Sequence, residues 1–380
     1  MQKISRTRAT GSELSCRSFA LSLQKITMNM QTETNYLDRN EFNFEPSDAV
    51  KEAIKNFDIK KLCFYTRIYD KGKKSIVSVL LSEKFGIDES RVLLGYGAED
   101  LLKMAVHYFL TEPDGNKTML IPKFSWWYYK SIADEVDGKT LQYPMEETAD
   151  SFAYDLKGLQ KMIAQEKPKI LLVASPNNPT GNGLTPEQLA ELAEMAGKET
   201  VILVDEAYAS YVTGDTSYIN RITESHPNAV FCRTLSKFYG LPGLRWGFGF
   251  TGKSDRMERF GKYANKYLGY DRLSEDIAIA ALNSEEHYRK IAEVMSEARK
   301  MYAEKLGSLP GFKVYKSTAN FILVKYPQEM KERLMDGFAE DDYKVKFMNE
   351  PDLHSHMRIT LGRKEQNLKV AEIILNAVNQ

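Results

Sequence analysis

Six short apolar runs recur up to residue 250: VLLGY (92–96), TMLIP (118–122), ILLVAS (170–175), VILVDEA (201–207), AVFCRT (229–234) and RWGFGF (245–250). Most lack the apolar–polar alternation of a strand with one wet face, so they read as strands covered on both sides. Helical periodicity stands between them, in AEDLLKMAVHYFL (98–110), in 156–163 and in PEQLAELAEMAG (186–197). Strand and helix alternating in this way predict an α/β fold, a mixed, mostly parallel sheet sandwiched by helices. That large domain is expected over about residues 66–280. A long polar helix, EEHYRKIAEVMSEARKMYAEKLGSL (285–309), then leaves it for a smaller α+β domain. KVYKSTANFILVKY, PQEMKERLMDGF, DYKVKFM, MRITLG and the last helix compose this second domain, with residues 31–65 joined to 281–380.

Size and charge narrow the function classes. A chain of 380 residues with 43% hydrophobic content can bury a large core and is long enough for two lobes. Basic and acidic residues balance at 52 each, which gives no global signature for nucleic acid or an anionic membrane, so small-molecule substrates are expected. No run of about eighteen apolar residues points to a membrane helix. Cys16, Cys63 and Cys232 make no metal or CxxC spacing and read as thiols of a reducing, cytoplasmic compartment. The five histidines, His354 and His356 included, form no metal set. Residues 1–30 carry one acid, Glu13, amid Ser, Thr and Arg; they are expected to be a disordered extension, ahead of the alternative of a targeting segment.

The chemistry-bearing residues come in a telling order. Lys237 lies in TLSKFYGLPGLRWGF (234–248), 32 positions after Asp205 in VILVDEAY, which follows Asn178 of SPNNPTG by 27. A lysine in a hydroxyl-rich loop, a carboxylate ending an earlier strand and an arginine eight residues on suit a covalently held aldehyde cofactor, and pyridoxal 5'-phosphate (PLP) fits. Its aldehyde needs an amine, Lys237, and its ring nitrogen an anionic partner, Asp205. Its phenolate oxygen needs neutral donors of the kind that Asn178 and Tyr208 carry. Its phosphate needs a hydroxyl, a planar cation and helix N–H groups, which Ser236, Arg245 and the helix opened by GYGAED (95–100) supply. Its ring needs an aromatic neighbour. Phe124 of IPKFSWWYY (121–129) is the first choice and Trp127 the second, the rest of that cluster being read as core.

GYGAED, SPNNPTG, VDEAYASY, TLSKFYGLPGLRWGF, STANFILV and MRITLG follow one another in an order that resembles the fold-type I, class I/II aminotransferases. Within them the chain resembles the histidinol-phosphate aminotransferase group, over about residues 36–380. The resemblance implies a fold-type I transferase and PLP, with Lys237 as the Schiff-base lysine, Asp205 as ring partner and Asn178 and Tyr208 on the phenolate. Ala98, Glu99, Ser236 and Arg245 then form the phosphate cup, and Arg358 of MRITLG takes the substrate carboxylate. It further implies a homodimer, in which Tyr69 crosses from the second subunit to the cofactor phosphate.

Two stretches depart from that group's pattern. RIYDK (67–71) stands where RYPDP is usual, and YKVKF (343–347) stands where the strand usually ends in arginine, as in GIIVR. Strand alternation then sets Phe347 or Met348 toward the substrate and turns Lys346 to the other face. The expected reaction moves an amino group between a donor, an amino acid or an amino-alcohol phosphate, and 2-oxoglutarate. The alternatives are an aromatic or other amino donor, which Trp126 and Trp127 also suit, and a PLP decarboxylase of the threonine-phosphate type. A non-catalytic regulatory module is disfavoured by the retained Lys237 and by the absence of an appended helix-turn-helix.

Overall fold

The computed structural model describes residues 34–66, 72–211, 214–265 and 269–379. Residues 1–30 and the stretch 67–71, with Tyr69, lie outside the described residues. All six apolar runs form strands of one seven-stranded sheet: β1 (Val92–Gly95), β2 (Thr118–Pro122), β4 (Ile170–Ala174), β5 (Val201–Asp205), β6 (Ala229–Thr234) and β7 (Gly247–Thr251), with Lys139–Tyr143 as β3. The order across the sheet is β1-β7-β6-β5-β4-β2-β3. Only β7 runs antiparallel to its neighbours, β1 and β6; the other pairings are parallel. β3 was not among the runs named from sequence, and the reason is physical. It pairs on one side only, so its KTLQY keeps polar, partly exposed positions that a fully covered strand would not tolerate.

Every residue of β4 and of β5 is buried. Each aliphatic side chain removed from water in this way contributes roughly 1.5–3 kcal/mol before conformational entropy is set against it. The covering helices are bounded by local chemistry. Pro186–Ala196 begins at a capping box, in which the Thr185 hydroxyl accepts from the Gln188 amide and the Gln188 side chain accepts from the Thr185 amide, with Pro186 at its first position.

The long helix Glu285–Leu306 leads to a four-stranded antiparallel sheet of β8 (Lys313–Val314), β9 (Phe321–Lys325), β10 (Lys346–Phe347) and β11 (His356–Thr360), in the order β8-β9-β11-β10. Its core gathers Tyr302, Ile322, Met357, Ile359 and Ile374, and also Leu37 from the start of the described chain. Two residues, Asn35–Tyr36, pair in parallel with Tyr343–Lys344. That pairing anchors the segment that follows, 37–40, which runs over the end of the small sheet toward the large one: the Thr360 amide donates to the Leu37 carbonyl and the Asn40 amide to the Thr360 hydroxyl. Among the described residues no helix is long and apolar enough to cross a membrane.

Candidate active site

The carboxyl ends of the parallel strands all reach one edge of the large sheet, where open α/β sheets place their ligands. β7 is antiparallel, so its beginning reaches that same edge and brings Arg245, two residues before it. A cavity of about 510 Å³ opens there, against the small sheet. Ala98, Glu99, Asn178, Asp205, Tyr208, Ser236, Lys237, Arg245 and Arg358 all line it, although they come from six separate stretches of chain.

Asp205 ends β5 at the cavity floor. Burial pushes its carboxyl up, while the Tyr129 hydroxyl and the Ala207 amide pull it down. The Tyr129 hydroxyl donates to Oδ2 at 2.6 Å and the Ala207 N–H to Oδ1 at 2.9 Å. Each carboxylate oxygen keeps a lone pair for a further partner. Lys237 follows β6 in the turn to β7, and its Nζ donates to the carbonyl oxygen of Asn40 at 3.0 Å. The Tyr208 hydroxyl accepts from Asn40 Nδ2 at 2.9 Å.

An anion cradle lies on the side of β1. The helix Ala98–Leu110 has Gly97 as its N-cap and no side chain capping it, so its first N–H groups remain for a ligand. Arg245 Nη2 reaches the Tyr96 carbonyl at 3.3 Å and Glu99 at 3.5 Å, and the Ser236 hydroxyl shares a 2.8 Å hydrogen bond with that of Thr234. Gly97 has φ +88°, and a Cβ on it would stand 2.7 Å from Arg245 Nη2. Only glycine leaves this cradle open.

On the side of the four-stranded sheet, Arg358 Nη1 donates to Asn178 Oδ1 at 2.5 Å and Nη2 to the Asp38 carbonyl at 2.6 Å. Burial holds its pKa below the usual arginine value. Its guanidinium lies 5.5 Å from the centre of the Phe321 ring, against which Tyr208 packs edge-on with ring centres 5.2 Å apart.

Three expectations need correction or qualification. Phe124 does not line the cavity; it packs into the core edge-on against Phe152, with ring centres 5.6 Å apart. After β2 the chain turns into the helix Tyr128–Asp134, and it is Ser125, Trp126, Trp127 and Tyr129 that this turn presents. Trp127, the second choice, is 71% exposed and has a free face to offer. At β10 Met348 faces the cavity, as one of the two expected residues, but Lys346 shares that face instead of turning to the other. Lys346 and Met348 line the cavity, while Phe347 turns away to pack on Tyr326 and Phe338. Tyr69 lies outside the described residues. Tyr129 and Asn40 carry contacts that sequence reasoning missed: Tyr129 was absorbed in an aromatic cluster, and Asn40 belongs to no spaced motif.

The fold and this donor set together define a PLP-dependent transferase. A free amine, a buried carboxylate and an anion cradle built from an uncapped helix, a hydroxyl and a guanidinium are the three fixtures the cofactor requires, and they surround one cavity. The family model "Aminotransferase class I and II" matches residues 32–374, and the chain belongs to that family. It is a PLP-dependent aminotransferase of the histidinol-phosphate aminotransferase type. Histidinol-phosphate aminotransferase 2 of Archaeoglobus fulgidus is 31% identical over 89% of this chain and 91% of its own. The histidinol-phosphate aminotransferase of Ruminiclostridium cellulolyticum is 28% identical over 92% and 94%. Among solved structures, the histidinol-phosphate aminotransferase of Clostridium acetobutylicum superposes with a TM-score of 0.79 at 20% identity, covering 91% of this chain and 99% of that one. The Sinorhizobium meliloti enzyme of the same name, in complex with pyridoxal-5'-phosphate, gives 0.78 at 20% identity, with 91% of each chain covered.

Proposed function

We propose that this aminotransferase takes its amino group from a donor that carries a phosphate or carboxylate and passes it to 2-oxoglutarate. The observation that carries the reading is that Arg358 and Lys346, paired in register on β10 and β11, line the same cavity as Lys237 and Asp205. Two cations on that wall suit a donor with an anionic group and equally suit a dicarboxylate acceptor. Histidinol phosphate, named in the relatives, is a donor of this class.

The roles follow from position. Lys237 anchors the aldehyde and, once its amine is released, moves a proton at the substrate α-carbon. Asp205 keeps the ring nitrogen protonated, oriented by the Tyr129 hydroxyl. Asn178 and Tyr208 donate to the phenolate oxygen. Ala98, Glu99, Ser236 and Arg245 hold the phosphate, and Trp127, rather than Phe124, covers the ring. PLP, when bound, supplies the electron sink for the α-carbon. A homodimer with Tyr69 reaching the partner's site, working in the cytoplasm, completes the proposal; Cys63 and Cys232 are both free.

The test is a screen of amino donors against 2-oxoglutarate with purified, PLP-loaded protein. Glutamate formed in step with loss of a phosphorylated or acidic donor is expected. Release of carbon dioxide without glutamate would overturn the reading in favour of a decarboxylase.

A further inference from the structure

We propose that Asn40 is a positioning residue that aims the hydroxyl proton of Tyr208 into the cofactor cavity. This rests on the reading of Tyr208 given above. Asn40 is 1% exposed, has φ +55° and lies in the segment that crosses from the small sheet to the large one. Its amide N–H donates to Thr360 Oγ1 at 3.0 Å, and the Thr360 hydroxyl in turn lies 3.4 Å from Asn40 Oδ1. With its oxygen toward Thr360, the side-chain amide turns its NH₂ group to Tyr208, which accepts at 2.9 Å. Asn320 Nδ2 fixes the same residue from the other side, donating to its carbonyl oxygen at 3.0 Å. Thr360 and Asn320 are both fully buried, so the aim is held by packed groups and not by a mobile side chain.

A phenol has one proton and two lone pairs. When the Tyr208 oxygen accepts from Asn40, its own proton must point elsewhere, and the cavity it lines is where an acceptor would stand. An accepted hydrogen bond also polarises the O–H and makes it a better donor. Asn40, which borders the same cavity, therefore acts on the phenolate oxygen of the cofactor through Tyr208. Its position gives this arrangement a second property. Asn40 is fastened to the small sheet but serves a tyrosine and a lysine of the large one, since its carbonyl also receives Lys237 Nζ.

The experiment is a pH titration of the near-visible absorption of the PLP-loaded protein, in four forms: wild type, Asn40→Ala, Tyr208→Phe and the double variant. Donation to the phenolate oxygen favours the deprotonated cofactor, so weakening it should move the transition of Asn40→Ala upward by about 0.5 pH unit, one net hydrogen bond's worth. In the Tyr208→Phe background the same substitution should move nothing. Asn40→Leu, which is close in volume, uncharged and unable to donate, should shift the wild-type transition upward as well and serves if Asn40→Ala does not fold. An equal shift in both backgrounds would mean that Asn40 acts through the Lys237 contact or the backbone and would overturn the proposal, as would an unmoved transition in both Asn40 variants. A wild-type protein without any pH-dependent cofactor band would instead defeat the cofactor reading on which the proposal rests.

Discussion

Lys346 and Arg358 stand directly opposite each other on the antiparallel pair β10–β11, and both line the cavity. Like charges facing across a ladder repel, so an anion placed between them relieves the pair and is bound by both. Lys346→Ala should raise KM for an anionic donor about 10-fold with kcat little changed, because a rim cation contributes mainly uniform binding. Arg358→Ala, which also frees Asn178, should cost on the order of 10²-fold in kcat/KM. The same rise is expected for 2-oxoglutarate, and steady-state kinetics with it and with a 2-oxo acid whose side chain is uncharged would check this; an equal effect of Lys346→Ala on both acceptors would contradict it.

Replacing Lys237 by alanine removes the amine but only a half-buried side chain. The variant should fold, with a melting temperature close to wild type, yet lose the near-visible cofactor band and roughly 10³-fold or more of its turnover. Absorption spectra after loading with PLP and removing the unbound excess, paired with a thermal melt, decide the matter.

Tyr129 and Asp205 form a buried pair, so their variants should differ in kind. Asp205→Asn should keep the hydrogen bond from Tyr129 but lose the charge, at a cost of about 10²-fold or more in kcat. Tyr129→Phe keeps the charge and loses one hydrogen bond to it, worth about 1.5–3 kcal/mol, and should weaken retention of PLP about 10-fold. Cofactor loss on dialysis separates the two; an unchanged holoenzyme in Tyr129→Phe would sever the link between them.

His356 gives a pH dependence of stability. Its ring is stacked on Tyr315 and its Nε2 lies 3.1 Å from the Tyr315 hydroxyl. Burial pushes its pKa down to about 4, with Lys325 adding to the effect. An unfolded histidine titrates near 6.5, so between those values the unfolded chain binds the proton more tightly and stability falls as the solution is acidified. The contribution is whole above about pH 6.5 and lost progressively toward pH 4. Urea midpoints of wild type and His356→Phe should therefore diverge in slope across that window, and parallel curves would refute the assignment.

The strands were legible because burial on both faces leaves a continuous apolar run, and six of the seven carry one. Lys139–Tyr143 was not, since an edge strand may keep Lys139 and Gln142 in water. The residues that line the cavity were readable where motif and strand end coincide, as at Asp205, Lys237 and Arg245. Phe124 was misplaced because the neighbouring aromatics are chemically alike, and only the turn into the helix Tyr128–Asp134 decides which of them faces in. Lys346 was assigned the wrong face because alternation gives the period of a strand but not its phase, which here is set by pairing with Arg358. Asn40 was invisible for another reason: its partners Tyr208, Lys237 and Thr360 lie 168, 197 and 320 positions away, and no local pattern reports such a meeting.

The reversed direction of β7 has a consequence for assembly. Ser236, Lys237 and Arg245 sit on a single connection between two adjacent strands, β6 and β7, which register with each other from Thr234↔Gly247 onward. Three fixtures of the site are thus delivered by a local hairpin, whereas Asp205 and Asn178 arrive only after crossovers through helices have closed. A change in the length of that one connection would carry amine, hydroxyl and guanidinium out of place together, so natural variation in this protein should tolerate insertions almost anywhere on its surface before it tolerates one there.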